Sequence, residues 1–168
     1  MKIGLLSDTH GYLDENLFEY FNICDQIWHA GDVGSWEIVE HLRDWKPLRA
    51  VYGNIDYGPI KQQLPEHEVF ECEGLQVWIT HIGGYPPQYS AKIKKLLEVY
   101  RPGLFICGHS HILKAMPDPA RGLLHLNPGA AGHEGFHHMR TAMRFDVAEG
   151  KVANLEVIEL GRRGKRYD

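Results

Sequence analysis

Lys2-Ile3-Gly4-Leu5-Leu6-Ser7-Asp8-Thr9-His10 opens the chain, and its reading decides the fold. The apolar run Lys2–Ser7 reads as a buried strand that stops at an aspartate and a histidine. The pattern recurs. Gln26–Ala30 is a second such run, ending at Gly31-Asp32, and Leu48–Tyr52 is a third, ending at Gly53-Asn54. Helical spacing fills the gaps. Glu15–Asn22 carries Leu17, Phe18 and Phe21 on one side. Ser35 stands as an N-cap before Trp36, Val39 and Leu42, which mark one face of a helix to about Trp45. Strand, helix, strand, helix, strand is an α/β signature with parallel pairing, and sites gather at the carboxyl ends of such strands.

The pattern changes after Pro65. His67–Cys72 and Leu75–Thr80 flank Glu73-Gly74, a hairpin signal. Ser90–Tyr100 reads as a helix stopped by Pro102, and Leu104–Cys107 as another buried strand. Ile112–Met116, Leu123–Asn127, Thr141–Val147 and Lys151–Leu160 then read as mostly antiparallel strands. Parallel units first and hairpins later predict two packed sheets with outer helices. No repeat, low-complexity stretch or linker divides the chain, so residues 1–161 form one domain. Residues 162–168 form a short, polar, basic tail expected to fray.

Five short blocks hold the residue types that bind metals: Asp8-Thr9-His10, Gly31-Asp32, Gly53-Asn54, His81 and Gly108-His109-Ser110-His111. Together they supply two Asp, one Asn and four His. Asp-x-His, Gly-Asp and Gly-Asn are each weak alone, Gly-His-x-His after the run Leu104–Cys107 is stronger, and the ordered set is strong. Oxygen donors are hard ligands and imidazole is borderline, so the set suits Mn first, with Fe, Zn and Ni as alternatives, over Ca or Mg. No Cys falls in a block, which argues against a thiolate zinc site. The inventory holds two divalent cations side by side. Asp32 is the bridging carboxylate, because its block offers one ligand between the outer pairs. Two divalent ions facing Asp8, Asp32 and a bridging hydroxide leave roughly one positive charge. That charge draws an anionic phosphate, and the shared water becomes hydroxide near neutral pH, which is apparatus for attack on a phosphate ester. Gly31, Gly53 and Gly108 let the loops bring backbone close to the ions.

Taken in order, and with Asn127-Pro128-Gly129 as the last element, these residues resemble the calcineurin-like metallophosphoesterase superfamily. The match is closest to its small single-domain phosphodiesterase branch, which is related to the phosphoesterase-like subunit of the retromer coat. The resemblance implies a four-layer α/β/β/α sandwich of two mixed sheets flanked by helices. It implies one metal held by Asp8, His10, Asp32 and His111, and another held by Asp32, Asn54, His81 and His109. These seven are then the catalytic residues. Two departures stand out. Many members place a His directly after Gly-Asn, where it protonates the leaving group; here Ile55 and Asp56 follow. Related sequences also read His-Gly-His where this chain has His81-Ile82-Gly83-Gly84-Tyr85.

The leading expectation is a phosphodiesterase in which a hydroxide between two metals attacks phosphorus in line, on a phosphate-ester small molecule or a nucleotide. A phosphomonoesterase acting on nucleotides or phosphoproteins is the nearest alternative. A non-catalytic metal-binding scaffold, like the retromer subunit, is the alternative from another class. Retention of all seven ligands favours catalysis. A homo-oligomer is compatible with each.

Composition bounds the partners. The 168 residues are 43% hydrophobic and 24% charged, with net charge −4, which fits one soluble globular domain rather than a stable duplex nucleic-acid binder. No run is long enough to span a bilayer, and the first apolar run is too short for a signal peptide. Cys24, Cys72 and Cys107 follow no spacing motif and read as buried free thiols in a reducing compartment, the cytoplasm.

Two loops carry further expectations. Ile82–Ser90, with Tyr85, Pro86, Pro87 and Tyr89, either walls a substrate pocket or is a loop stiffened by proline. Gly132–Arg140 is expected to border the metals. In that reading Arg140 clamps a phosphate oxygen, and His133 or His137 supplies the acid missing at Ile55, with His138 beside them. The plainer reading is a solvated loop or a subunit contact. His29 and His125 lie inside strands and read as hydrogen-bonded core or near-site histidines, while His41 and His67 read as surface.

Overall fold

The strand that opens the chain becomes the centre of a sheet. In a computed structural model, which describes residues 1–164, the elements in chain order begin with β1 (Lys2–Leu6), α1 (Asn16–Tyr20), β2 (Gln26–His29), α2 (Trp36–Trp45), β3 (Leu48–Ala50) and α3 (Pro59–Gln63). There follow β4 (His67–Cys72), β5 (Leu75–Thr80), α4 (Ala91–Tyr100), β6 (Leu104–Ile106), β7 (Lys114–Asp118), β8 (Leu123–Asn127), β9 (Met139–Ala148) and β10 (Lys151–Arg162).

One sheet has the order β10-β9-β1-β2-β3 and the other β4-β5-β6-β8-β7. In the first, β1, β2 and β3 run parallel and β9 joins β1 antiparallel. In the second, β5, β6 and β8 run parallel, with the β4–β5 hairpin and β7 antiparallel at its edges. Both sheets are mixed, as the expected sandwich requires.

Side-chain alternation builds the layers. Ile3 and Leu5 point between the sheets, where they meet Val77, Ile79, Leu104 and Ile106. Leu6 and Ile27 point the other way, onto Leu17, Phe21, Val39 and Leu42 of the helical side. On the far face, Ile93 and Leu97 of α4 cover Trp78 and Phe105. Each such fully buried side chain contributes about 1.5–3 kcal/mol. The result is helices, sheet, sheet and helix. No helix among the described residues is long and apolar enough to cross a membrane.

Several boundaries differ from expectation for identifiable reasons. β7 begins at Lys114, because His111 turns left-handed and keeps Ile112 and Leu113 in the loop. β7 also contains Pro117, which an edge strand tolerates. α3 is a short helix that no apolar periodicity marks; Pro59 at its first turn starts it. Ser35 precedes α2 in extended geometry, but its hydroxyl goes to the Glu37 carboxylate instead of capping the backbone. Ser90 does cap α4, accepting from the Ile93 amide at 3.2 Å. The tail departs from fraying at its start. β10 includes Arg162, and the Arg163 amide donates to the His138 carbonyl at 2.9 Å. Residues 165–168 of the tail lie outside the described residues. Cys24, Cys72 and Cys107 are buried and free.

Candidate metal centre

All the parallel strands deliver their carboxyl ends to one edge of the sandwich. The loop after β1 carries Asp8 and His10, the loop after β2 carries Asp32, and the loop after β3 carries Asn54. From the second sheet, His81 follows β5, while His109 and His111 follow β6. Backbone bonds lace these loops together: the Asp8 amide donates to Gly31, the His10 amide to Asp32 and the Gly108 amide to His81, at 2.9–3.0 Å.

The ligand residues share an uncommon backbone. Asp8, His10, Asp32, His109 and His111 have φ of 54°, 47°, 52°, 68° and 58°. The left-handed region is unfavourable for residues with a Cβ, and strain of this kind concentrates at functional sites. It lets each side chain turn back over the strand end it has just left. Gly53 and Gly108 serve the same end by size. A Cβ on Gly53 would strike the Asp32 carboxylate, and one on Gly108 would strike Ser7 Oγ and the Asp8 carboxylate.

The side chains form two trios, Asp8–His10–His111 and Asp32–His81–His109. Within each, lone pairs face lone pairs. His81 Nδ1 donates to the Ala30 carbonyl at 2.8 Å, so the lone pair of its Nε2 points inward. That Nε2 lies 3.0 Å from Asn54 Oδ1 and 3.2 Å from Asp32 Oδ2. His111 Nε2 lies 3.1 Å from Asp8 Oδ1, an oxygen that is buried without a hydrogen bond. His10 Nε2 is likewise buried without one. His109 Nδ1 is 2.9 Å from Asn54 Oδ1. Acceptors converging on acceptors in a buried site repel unless a cation lies among them. The residues present therefore fit a metal. Asp32 stands between the trios, with Oδ2 at 3.5 Å from His10 Nε2 and 3.2 Å from His81 Nε2.

Protonation responds to the same crowding. Burial raises the Asp8 pKa, yet His10 and His111 outweigh it and hold the carboxyl well below the usual range. Asp32 is also lowered: burial opposes, and His81 prevails. The Asp8 carboxylate raises His10. Burial pulls His81 down, but Asp32 and Asp8 leave it raised. Without an ion, a proton settles where the cation belongs.

Around the trios sits a shell that orients them. Asp8 Oδ2 accepts from Ser7 Oγ at 2.7 Å and from the His109 amide at 3.1 Å. His29 accepts from the Gly31 amide at Nδ1 and meets Thr9 Oγ1 at 3.0 Å through Nε2. It is thus the hydrogen-bonded near-site histidine expected, kept neutral by burial with a pKa of about 4. Asn127 donates to the Gly108 carbonyl at 2.9 Å and to Ser110 Oγ at 3.2 Å, which explains the Asn-Pro-Gly element as a brace for the Gly-His-Ser-His loop. The buried Asp56 carboxylate accepts amides of Val33, Gly34 and Gly53 at 2.8–3.1 Å, tying the Asp32 loop to the Asn54 loop. Its role was missed in the sequence, where it is only the residue after Ile55. Ile55 itself contributes its amide to Asp32 Oδ1 at 3.0 Å.

The Gly132–Arg140 loop reaches the cluster through the Gly132 amide, which donates to the Asp8 carbonyl at 3.0 Å, through Gly135 against the His111 ring, and through the side chain of His137. His137 Nδ1 lies 3.2 Å from His111 Nδ1, and its Nε2 lies 3.0 Å from the Gly132 carbonyl. This is an orienting contact to a ligand, in place of the acid expected. Arg140 is not an oxyanion clamp. It is buried; Nη1 pairs with Asp14 at 2.6 Å and also reaches the Ala131 carbonyl, and its other nitrogens go to the carbonyls of Leu160 and Arg162. His133 bonds the Arg163 carbonyl and packs edge-on against Tyr12, and His138 is exposed. In the other loop, Ile82 and Ser90 line a cavity beside His81, while Tyr89 is buried in the core. His125 is buried in β8 with Nδ1 unpartnered, His41 is exposed, and His67 is half-buried, its Nδ1 2.9 Å from Thr80 Oγ1.

Comparison with known proteins gives the same reading. The calcineurin-like phosphoesterase superfamily domain matches residues 1–150. A probable metallophosphoesterase of Methanocaldococcus jannaschii is 35% identical over 136 residues, covering 77% of this chain and 68% of the relative. Vps29 from Entamoeba histolytica, solved as a single mutant, superposes with a TM-score of 0.74 at 18% identity, over 95% of this chain and 99% of that one. The structure of an archaeal phosphodiesterase gives 0.72 at 23% identity, over 95% and 99%. With the matched domain running from β1 into the β9–β10 turn, this chain belongs to the calcineurin-like phosphoesterase superfamily and is a metal-dependent phosphoester hydrolase.

Proposed function

We propose that the protein is a phosphodiesterase that uses two divalent ions, Mn first and Fe, Zn or Ni otherwise, on a small phosphate diester or a nucleotide. The observation that carries this reading is the pair of inward-facing trios with Asp32 between them. Asp8, His10, Asp32 and His111 would hold one ion, and Asp32, Asn54, His81 and His109 the other. Such ions, when bound, supply a water of lowered pKa and positive charge at the phosphoryl oxygens. The chain's own residues do the rest. Ala30 and His137 fix the rings of His81 and His111, and Asn54 adds an oxygen donor without adding charge. The three buried free thiols support a reducing compartment, the cytoplasm.

Charge favours a diester over a monoester. Among the described residues, the ion pairs of Asp8 and Asp32 are with histidines alone, and Arg140 is committed to Asp14. A diester brings one negative charge to such a site, whereas a monoester brings about 1.5–2 at neutral pH and calls for an extra cation. The archaeal phosphodiesterase shares the fold, which is consistent with this choice.

The test is metal analysis of the purified protein joined to steady-state rates on matched mono- and diesters across Mn, Fe, Zn and Ni. Two ions per chain with kcat/KM higher on the diester is the expected result. A higher value on the monoester would overturn the diester assignment, and full ligand retention without metal or turnover would favour a scaffold.

A further inference from the structure

Beside the ligand cluster lies a cavity of about 300 Å³ whose wall includes Asn54 and His81. It therefore borders the ligand cluster at His81 of the second trio and at Asn54 beside it. Its volume is at the small end of ligand pockets, room for one ring system rather than a polymer. Tyr52, Ile82 and Ile93 give it apolar wall, with Ile93 buried and Ile82 at the rim, 53% exposed.

The charges on the wall do not cancel. Lys61, Lys92 and Glu66 line it, and Lys92 pairs with Glu66 at 3.0 Å. Lys61 has no carboxylate partner among the described residues; its Nζ lies 5.5 Å from the centre of the Tyr52 ring. One cation is left over, on the same cavity as the apolar wall.

Resting on the phosphodiesterase reading above, we propose that this cavity is the subsite for the ester's organic group, and that it selects an alcohol built on a single ring with a second negative charge. The ring lies against Ile82 and Ile93, and Lys61 meets the second anion. A single ring fills a cavity of this volume, which points to a small-molecule ester.

Binding of phosphonates as their monomethyl esters, which carry one negative charge at phosphorus as a diester does, to the Mn-loaded protein, measured by calorimetry, tests this. Methylphosphonate reports the metals alone, phenylphosphonate adds the ring, and para-carboxyphenylphosphonate adds the anion. The ring is expected to tighten binding by about tenfold, and the carboxylate to tighten it further. Ile82→Trp narrows the mouth at an exposed position and should erase the gain from the ring while leaving methylphosphonate unchanged. Lys61→Gln, also on an exposed side chain, should erase only the gain from the carboxylate. Equal affinity for all three phosphonates in the wild type would overturn the subsite and leave the phosphodiesterase reading standing. Failure of every phosphonate to bind would instead strike the metal-site reading, and the subsite with it.

Discussion

Nδ1 of His137 faces Nδ1 of His111 at 3.2 Å, so one of the two nitrogens must donate to the other. His137 Nε2 lies 3.0 Å from the Gly132 carbonyl, which only accepts, so the His137 proton sits there. Nδ1 of His137 is then the acceptor and His111 the donor. This leaves His111 Nε2 with its lone pair toward Asp8. A backbone carbonyl sets the tautomer of a ligand two rings away.

Removing His137 should therefore loosen one ion. His137→Ala is expected to weaken metal binding by about 10–100-fold, the usual effect of losing an orienting partner. His137→Gln, whose amide oxygen also accepts, should recover part of it. Calorimetric titration of the metal-free protein measures both, and unchanged affinity in the alanine variant would remove the relay from the site.

Asp56 is the second test of support outside the ligands. Its truncation strands three backbone donors, on Val33, Gly34 and Gly53. An unsatisfied buried donor costs about 1–3 kcal/mol, and water entering the gap relieves part of the total. Asp56→Ala should lower unfolding free energy by about 3 kcal/mol even without metal. A loss under about 1 kcal/mol in urea denaturation would show that the loops do not depend on it.

Glycine size is a third. Gly108→Ala places a methyl group against Ser7 and the Asp8 carboxylate, and Gly53→Ala places one against Asp32. Both should lower metal occupancy, because each methyl group displaces a ligand carboxylate. Elemental analysis measures this; normal occupancy in both variants would contradict it.

The metal-free protein should be most stable near the ordinary imidazole pKa of 6.5. His10 and His81 are raised in the fold, so the stability they add is full below that value and fades as pH climbs through their folded pKa. On the acid side, Asp8 and Asp32 are depressed and lose their contribution as pH falls below the ordinary carboxylate value of 3.8. His29 and His125, lowered to about 4, likewise lose theirs between 6.5 and 4. Bound ions reverse the alkaline slope, because they need neutral imidazoles. Melting curves across pH with and without chelator check this. A chelated protein that grows more stable above 6.5 would contradict the two raised histidines.

Leaving-group chemistry supplies the last test. Ile55, an exposed residue, occupies the position of the absent acid. Ile55→His should speed alkyl diesters more than nitrophenyl diesters, within the about 10²–10⁴-fold that a proton donor contributes. An equal gain on both would mean that the new side chain acts in some other way.

What the sequence could reveal followed from local pattern. β5 and β8 end where hydrophobic runs end, and the ligand blocks stand out because each, apart from His81, sits where such a run stops. What it hid depends on long-range partners. Arg140 looked available because Asp14, 126 residues away, is invisible from its own loop. His133, His137 and His138 are equivalent on the page; only closure of the loop onto His111 distinguishes the middle one. Asp56 acts through backbone amides, and no side-chain motif marks those.

Asp8, His10, Asp32 and Asn54 hang from the first sheet, whereas His81, His109 and His111 hang from the second. An ion held by both groups is a rivet through the seam of the sandwich. Its binding free energy resists sliding of one sheet over the other, as well as unfolding of either. At a hundredfold excess over its Kd, an ion adds about 2.7 kcal/mol to global stability. With such an ion bound, metal supply would bear on how long each copy stays folded as well as on turnover.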